Sequence, residues 1–230
     1  MEKTKTHRIW ELDFLRGIAL IMMIYFHAIY DLKDIFGYNV VYSTGINRWI
    51  GRISAIMFIF ISGISSTLSK SNLKRGLKVL GAGVAISIVT YLYDPELVIK
   101  FGILHFLGVS MLLYPLFRKL HPVALLLAGT AVILAGNAVS QINAANDCFF
   151  VFGLTSSNFF SSDYYPLLPW FGVFLYGVAA GKFLYPAKKS LFRFTLRDNI
   201  ISCAGRNTFI IYLIHQPVII AVITIIDRFL

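Results

Sequence analysis

Apolar runs close to twenty residues long, separated by short polar segments, repeat along the whole chain. About twenty apolar residues are what a helix needs to cross a bilayer. Seven runs meet that pattern, near residues 12–32, 48–69, 75–93, 99–118, 121–140, 166–185 and 206–227. Lipid offers no partner to an unpaired backbone amide, so such runs are helical. The expected fold is all-α: a polytopic membrane bundle of about seven transmembrane helices, forming one domain over residues 1–230. No low-complexity linker, soluble domain or internal repeat interrupts the pattern.

Composition agrees. Hydrophobic residues make up 57% of the 230 positions and charged residues 14%, against roughly 25% charged in a soluble domain. Mean hydropathy is +0.73. A net charge of +10 would suggest nucleic acid in a soluble protein. Here the charge is distributed by loop. Sixteen of the 21 Lys and Arg residues, Lys3, Lys5 and Arg197 among them, fall in one alternating set of segments. Seven of the eleven acids fall in the other set. The positive-inside rule then predicts a cytoplasmic N-terminus and an external C-terminus. Asp13 and Arg16 interrupt the first run and no small-residue cleavage pattern follows it, so the first helix is expected to stay. Cys148 and Cys203 fall on opposite sides in this topology and lack metal-site spacing. The longest external loop, residues 141–166, is rich in aromatics; it reads equally as an interfacial belt or as a flap.

Candidate chemistry begins in the first run, "LRGIALIMMIYFHAIYD". At about 100° per residue, Arg16 and His27 share a helix face, roughly 16 Å apart along the axis. Asp31 lies four residues beyond His27 and Asp13 three before Arg16, both at pairing distance. Ionisable groups inside a span are costly and usually functional. The plainer reading makes Arg16 a headgroup anchor and leaves Asp31 in outer water. His105, flanked by Gly102 and Gly108, opens the fourth run, and His215 precedes Gln216 and Pro217 in the last. For each histidine alone, a packed role and a catalytic role are equally open. Small residues Ser62, Gly63, Ser65 and Ser66 suit close helix packing. Lys74, Arg75 and Lys78 stand at a helix start, where positive-inside bias explains them and phosphate binding is the sharper alternative.

"RGIALIMMIYFH" resembles the Arg–x10–His signature of the integral-membrane acyltransferase-3 family. "ELDFLRGIALIMMIYFHAIYDL", "FGILHFLGVS", "YYPLLPWFGVFLYGVAAGK" and "GRNTFIIYLIHQPVI" are similar, in order, to the short bacterial branch related to the heparan-α-glucosaminide N-acetyltransferase catalytic domain. The resemblance implies acetyl-CoA as donor, with its nucleotide in the cytoplasm. It also implies a sugar or glycan acceptor, through an amine or hydroxyl, on the far side of the inner cell membrane. On this reading Arg16, Lys74, Arg75 and Lys78 bind the donor and His27 is the general base. Asp31 fixes the His27 tautomer, and His105 or His215 donates to the thioester oxyanion; an acetyl-histidine intermediate is the alternative route. No metal and no nucleic acid is expected, and a homo-oligomer is left open. The eukaryotic enzymes carry a catalytic histidine in the loop after the first helix, where "FGYNVV" here has none. Two other classes compete: a small-solute transporter using the Arg16, His27 and Asp31 stripe, and a haem carrier with histidine ligands.

Overall fold

The computed structural model describes residues 8–196 and 199–229; Lys3, Lys5 and Arg197 lie outside the described residues. It is all-helical, with no strands among the described residues and two isolated parallel bridges, Phe101 with Tyr164 and Asn143 with Thr155. The chain divides into two compact units: Met1–Phe58 with Ala187–Leu230, and Ile59–Pro186.

The first unit contains α1 (Trp10–Asp34), the opening of α2 (Gly45–Leu68), the short α7 (Ile200–Arg206) and α8 (Thr208–Asp227). Glu11 and Asp13 in the first turn of α1 and Lys33 in its last complement the helix dipole. The buried positions Leu12, Ala19, Leu20, Met23 and Asp31 recur at helical spacing and define its inward face. Ser54 donates to the Ala19 carbonyl at 2.8 Å, tying α2 to α1. The Glu11 carboxylate accepts from the Ser190 hydroxyl at 2.9 Å and the Leu191 amide at 2.8 Å. The Trp10 indole donates to the Phe194 carbonyl at 3.1 Å. These bonds fold the segment before α7 back onto the start of α1. Residues 200–206, expected as loop before the last apolar run, form a separate short helix that ends at Asn207. α7 lies against α1 with the backbones in contact: a Cβ on Gly205 would overlap the Asp13 carbonyl, and one on Gly17 the Ile201 carbonyl.

The second unit contains the rest of α2, α3 (Asn72–Tyr93), α4 (Ile103–Phe117), α5 (Pro122–Val139) and α6 (Leu167–Leu184). The Ser71 hydroxyl caps α3 by accepting from the Lys74 amide. Pro122 occupies the first turn of α5, where its missing donor costs nothing. The small residues of α2 serve the expected close packing: the backbone at Gly63 meets the Phe174 carbonyl of α6.

Among the described residues, six helices are long and apolar enough to cross a membrane, and Ile103–Phe117 is a shorter apolar one. At 15 residues α4 extends only about 22 Å. The shortfall from the expected 99–118 has a local cause. Residues before Gly102 leave the helix to bond elsewhere: the Phe101 carbonyl accepts from the Tyr165 amide at 2.9 Å and the Val98 carbonyl from the Ser162 amide at 3.3 Å. The long loop is folded on itself, with Phe150, Phe159 and Tyr164 clustered and the Tyr164 hydroxyl donating to the Phe150 carbonyl at 2.5 Å. Asp163 Oδ2 accepts from the Ile103 amide at 2.9 Å. Burial pushes that carboxyl up to about 6.

Candidate active site

The inward face of α1 carries the polar stripe. At its lower end Arg16 donates to Asp13 Oδ1 at 2.7 Å, the pairing expected from their spacing. Eleven residues on, His27 meets α8: its Nδ1 lies 2.7 Å from His215 Nε2, with ring centroids 4.9 Å apart. His215 Nδ1 lies 2.5 Å from the Tyr212 carbonyl oxygen.

That carbonyl can only accept, and this decides the protons. His215 carries its proton on Nδ1, so its Nε2 presents a lone pair in the neutral ring. His27 must then donate from Nδ1, leaving the lone pair on its own Nε2. The chain Tyr212 carbonyl, His215, His27 thus presents an oriented base at His27 Nε2. If His27 takes a proton there, the same hydrogen bond supports the imidazolium.

The expected partner of His27 was Asp31, and here the structure differs. Asp31 is fully buried, and its Oδ1 accepts from Gln216 Nε2 at 2.6 Å. The hydrogen bond to the His27 ring that the spacing suggested for Asp31 is made instead by His215, which reaches it from α8. Asp31 is held by the next residue of α8 instead. Both ring nitrogens of His215 are engaged, so it has no N–H left for an oxyanion.

His105 is engaged too. Its Nδ1 accepts from the Gly102 amide at 3.2 Å, so its proton sits on Nε2, 3.1 Å from the Ser87 hydroxyl. Ser87 in turn donates to the Ile99 carbonyl. These bonds fasten the start of α4 to α3. Gly108 lets the Leu80 backbone approach, as the flanking glycines suggested.

Lys74, Arg75 and Lys78 are exposed on the first turns of α3. Arg75 also reaches the Ser65 carbonyl at 3.4 Å. Beside that helix start is a cleft of about 320 Å³, lined by Lys70, Ser71, Asn72, Tyr114 and Arg118 among others. Its cations and capped helix end suit a phosphate group.

The model of the family described as heparan-alpha-glucosaminide N-acetyltransferase, catalytic, matches residues 8–217. The chain belongs to that family. No curated protein and no solved structure matches it. Membership supports acetyltransferase chemistry in general terms, in a multi-pass membrane setting that the apolar helices also support.

Sequence reasoning passed over three residues that the geometry brings forward. Gln216 was noted only as the neighbour of His215; its position one residue before Pro217 carries no signal of a contact to α1. Lys70 and Arg118 are two of the sixteen Lys and Arg residues of the basic loop set, and nothing in their spacing places them around one cleft.

Proposed function

We propose that the protein is an acetyl-CoA-dependent membrane acetyltransferase, acting as one domain over residues 1–230 in the inner cell membrane. The donor nucleotide lies on the cytoplasmic side; the positive-inside bias of the loops that carry Arg16, Lys74, Arg75 and Lys78 supports this. The cleft at the start of α3 supports phosphate binding there, with Lys70 and Arg118 added to the set. A sugar or glycan on the opposite side supplies the amine or hydroxyl that is acetylated.

The observation that carries this reading is the hydrogen-bonded chain from the Tyr212 carbonyl through His215 to His27. His27 Nε2 takes the proton of the acceptor N–H or O–H as the nucleophile attacks the thioester carbonyl. The new bond to the acetyl carbon forms, the carbon–sulfur bond breaks, and the proton passes from His27 to the departing sulfur. A positioned general base contributes about 10²–10⁴ in rate to such a step. His215 holds the base in its tautomer, Asp31 lines the same site, and His105 stabilises the fold.

Purified protein incubated with radiolabelled acetyl-CoA and a panel of amino sugars and glycans tests the proposal. Label should move to at least one acceptor, and His27→Ala should abolish transfer while donor binding persists. An active His27→Ala protein sinks the mechanism. Arg16→Ala should weaken donor binding; unchanged affinity would make Arg16 a structural partner of Asp13 alone.

A further inference from the structure

The segment before α7, residues 187–196, reads "AKKSLFRFTL", with three cations and no acid. It is not helical, yet it is tied in place. The buried Glu11 carboxylate accepts from the Ser190 hydroxyl and the Leu191 amide, and the Phe194 carbonyl accepts from the Trp10 indole. The Trp10 ring also packs on Phe192 and Phe194, with centroids 5.5 and 5.6 Å away. A loop fixed in this way in water would turn its large apolar side chains inward. This one turns them out: Leu191, Phe192, Phe194 and Leu196 are 44–57% exposed. Lys188, Lys189 and Arg193 are exposed among them. Glu11, the acid that touches the segment, is turned onto its two donors. The depth of the segment follows from what it is tied to. Trp10 and Glu11 are the first two residues of α1, so the segment lies level with the end of a helix long and apolar enough to cross a membrane. Its non-helical backbone excludes the hydrocarbon core, where unbonded amides have no partner. The level that remains is the headgroup layer, where aromatic rings and Lys or Arg side chains gather.

We propose that residues 187–196, with Trp10, form a docking surface for the anionic phospholipids of one leaflet, and that this docking clamps the start of α1. The leaflet is the one at the N-terminus of α1, which the positive-inside rule makes the cytoplasmic one. The occupant follows from the chemistry of the surface. Four exposed apolar side chains suit the boundary between headgroups and acyl chains. Three cations with no acid in the segment suit anionic headgroups, and each cation adds to the attraction. A partner protein of the same chemistry would have to reach a segment level with the headgroups, whereas lipid already surrounds it. Lipid that holds the segment also holds Trp10 and Glu11, through the three hydrogen bonds that join them to it. The headgroup charge of the membrane is thereby coupled to the anchoring of the helix that carries Arg16 and His27. None of this rests on the transferase reading.

The test therefore omits acetyl-CoA. Trp10 is one of three tryptophans, and with Trp49→Phe and Trp170→Phe it reports alone. That protein is placed in nanodiscs of mixed phosphatidylglycerol and phosphatidylcholine, with a bromine quencher near the glycerol end of the acyl chain. The quencher is carried on one lipid or on the other at equal fraction. Brominated phosphatidylglycerol should quench Trp10 at least about twofold more than brominated phosphatidylcholine. Salt at about 1 M should bring the two to parity, and so should Lys188→Gln, Lys189→Gln and Arg193→Gln together. Equal quenching by the two lipids before those changes overturns the proposal, as does no quenching by either. So does an undiminished preference in a monodisperse triple variant. The clamp is tested on the unaltered protein, by thermal unfolding in nanodiscs with and without phosphatidylglycerol. The midpoint should be several degrees higher with the anionic lipid, and the triple variant should lose that difference. Equal midpoints for the unaltered protein overturn the clamp even if no variant folds.

Discussion

Replacing His215 with Phe removes the acceptor of the His27 Nδ1 proton and keeps a ring in the same space. The lost contact is the 2.7 Å hydrogen bond from His27 to His215 Nε2, and His215 is itself buried. Leaving a buried donor without a partner costs about 1–3 kcal/mol. If that cost falls on the oriented base, at about 1.4 kcal/mol per tenfold, kcat falls about 5- to 150-fold. His27→Ala removes the base itself and should cost about 10²–10⁴. Because His215 acts through His27, the double variant should be no slower than His27→Ala alone. Steady-state transfer from radiolabelled acetyl-CoA measures all three, with gel filtration confirming that each protein is folded. Two results refute the reasoning: a wild-type rate in His215→Phe, or a double variant slowed by the product of the two single losses.

Two further predictions concern the scaffold. Gly205→Ala drives a methyl group into the Asp13 carbonyl across the contact between α7 and α1. Overpacking of this kind costs about 1–3 kcal/mol, so thermal unfolding should fall by several degrees. Gly81→Ala, where nothing lies within 4 Å, is the control and should leave the transition unchanged or raise it slightly; equal effects at the two sites would refute the close approach. Asp163, raised by burial to about 6 from 3.8, favours the folded state most when it is protonated. Its contribution is complete below about pH 4 and lost as pH rises through about 6. Asp163→Asn still accepts from the Ile103 amide and should flatten that stretch of the melting-temperature profile. An unaltered profile would show that the carboxyl is not held in this way.

Much of the architecture was legible because lipid simplifies the code. A membrane span has to be helical and apolar, so run length alone located α1, α2, α3, α5, α6 and α8 to within a few residues. Local rules also held where both partners share a helix, as with Asp13 and Arg16 three residues apart. The rule failed at α4, where residues 98–102 bond to the loop near Tyr164 rather than continuing the helix. Apolar character cannot report a competition between helix and loop for the same backbone groups. It also gave no sign of α7: residues 200–206, expected as loop before the last run, form a separate short helix.

The sequence by itself determined the all-helical membrane character, the family, and the placing of Arg16, His27 and Asp31 along one face of α1. Those follow from period, composition and motif order, which are properties of a single stretch of chain. Only the tertiary structure decided which groups meet. It paired His27 with His215 rather than with Asp31 one turn away, gave Asp31 to Gln216, and tied His105 to Gly102 and Ser87. The reason is that a helix fixes the angle of a side chain about its own axis but not the identity of the helix it faces. At His27 the neighbour 188 positions along the chain supplied the better-placed acceptor.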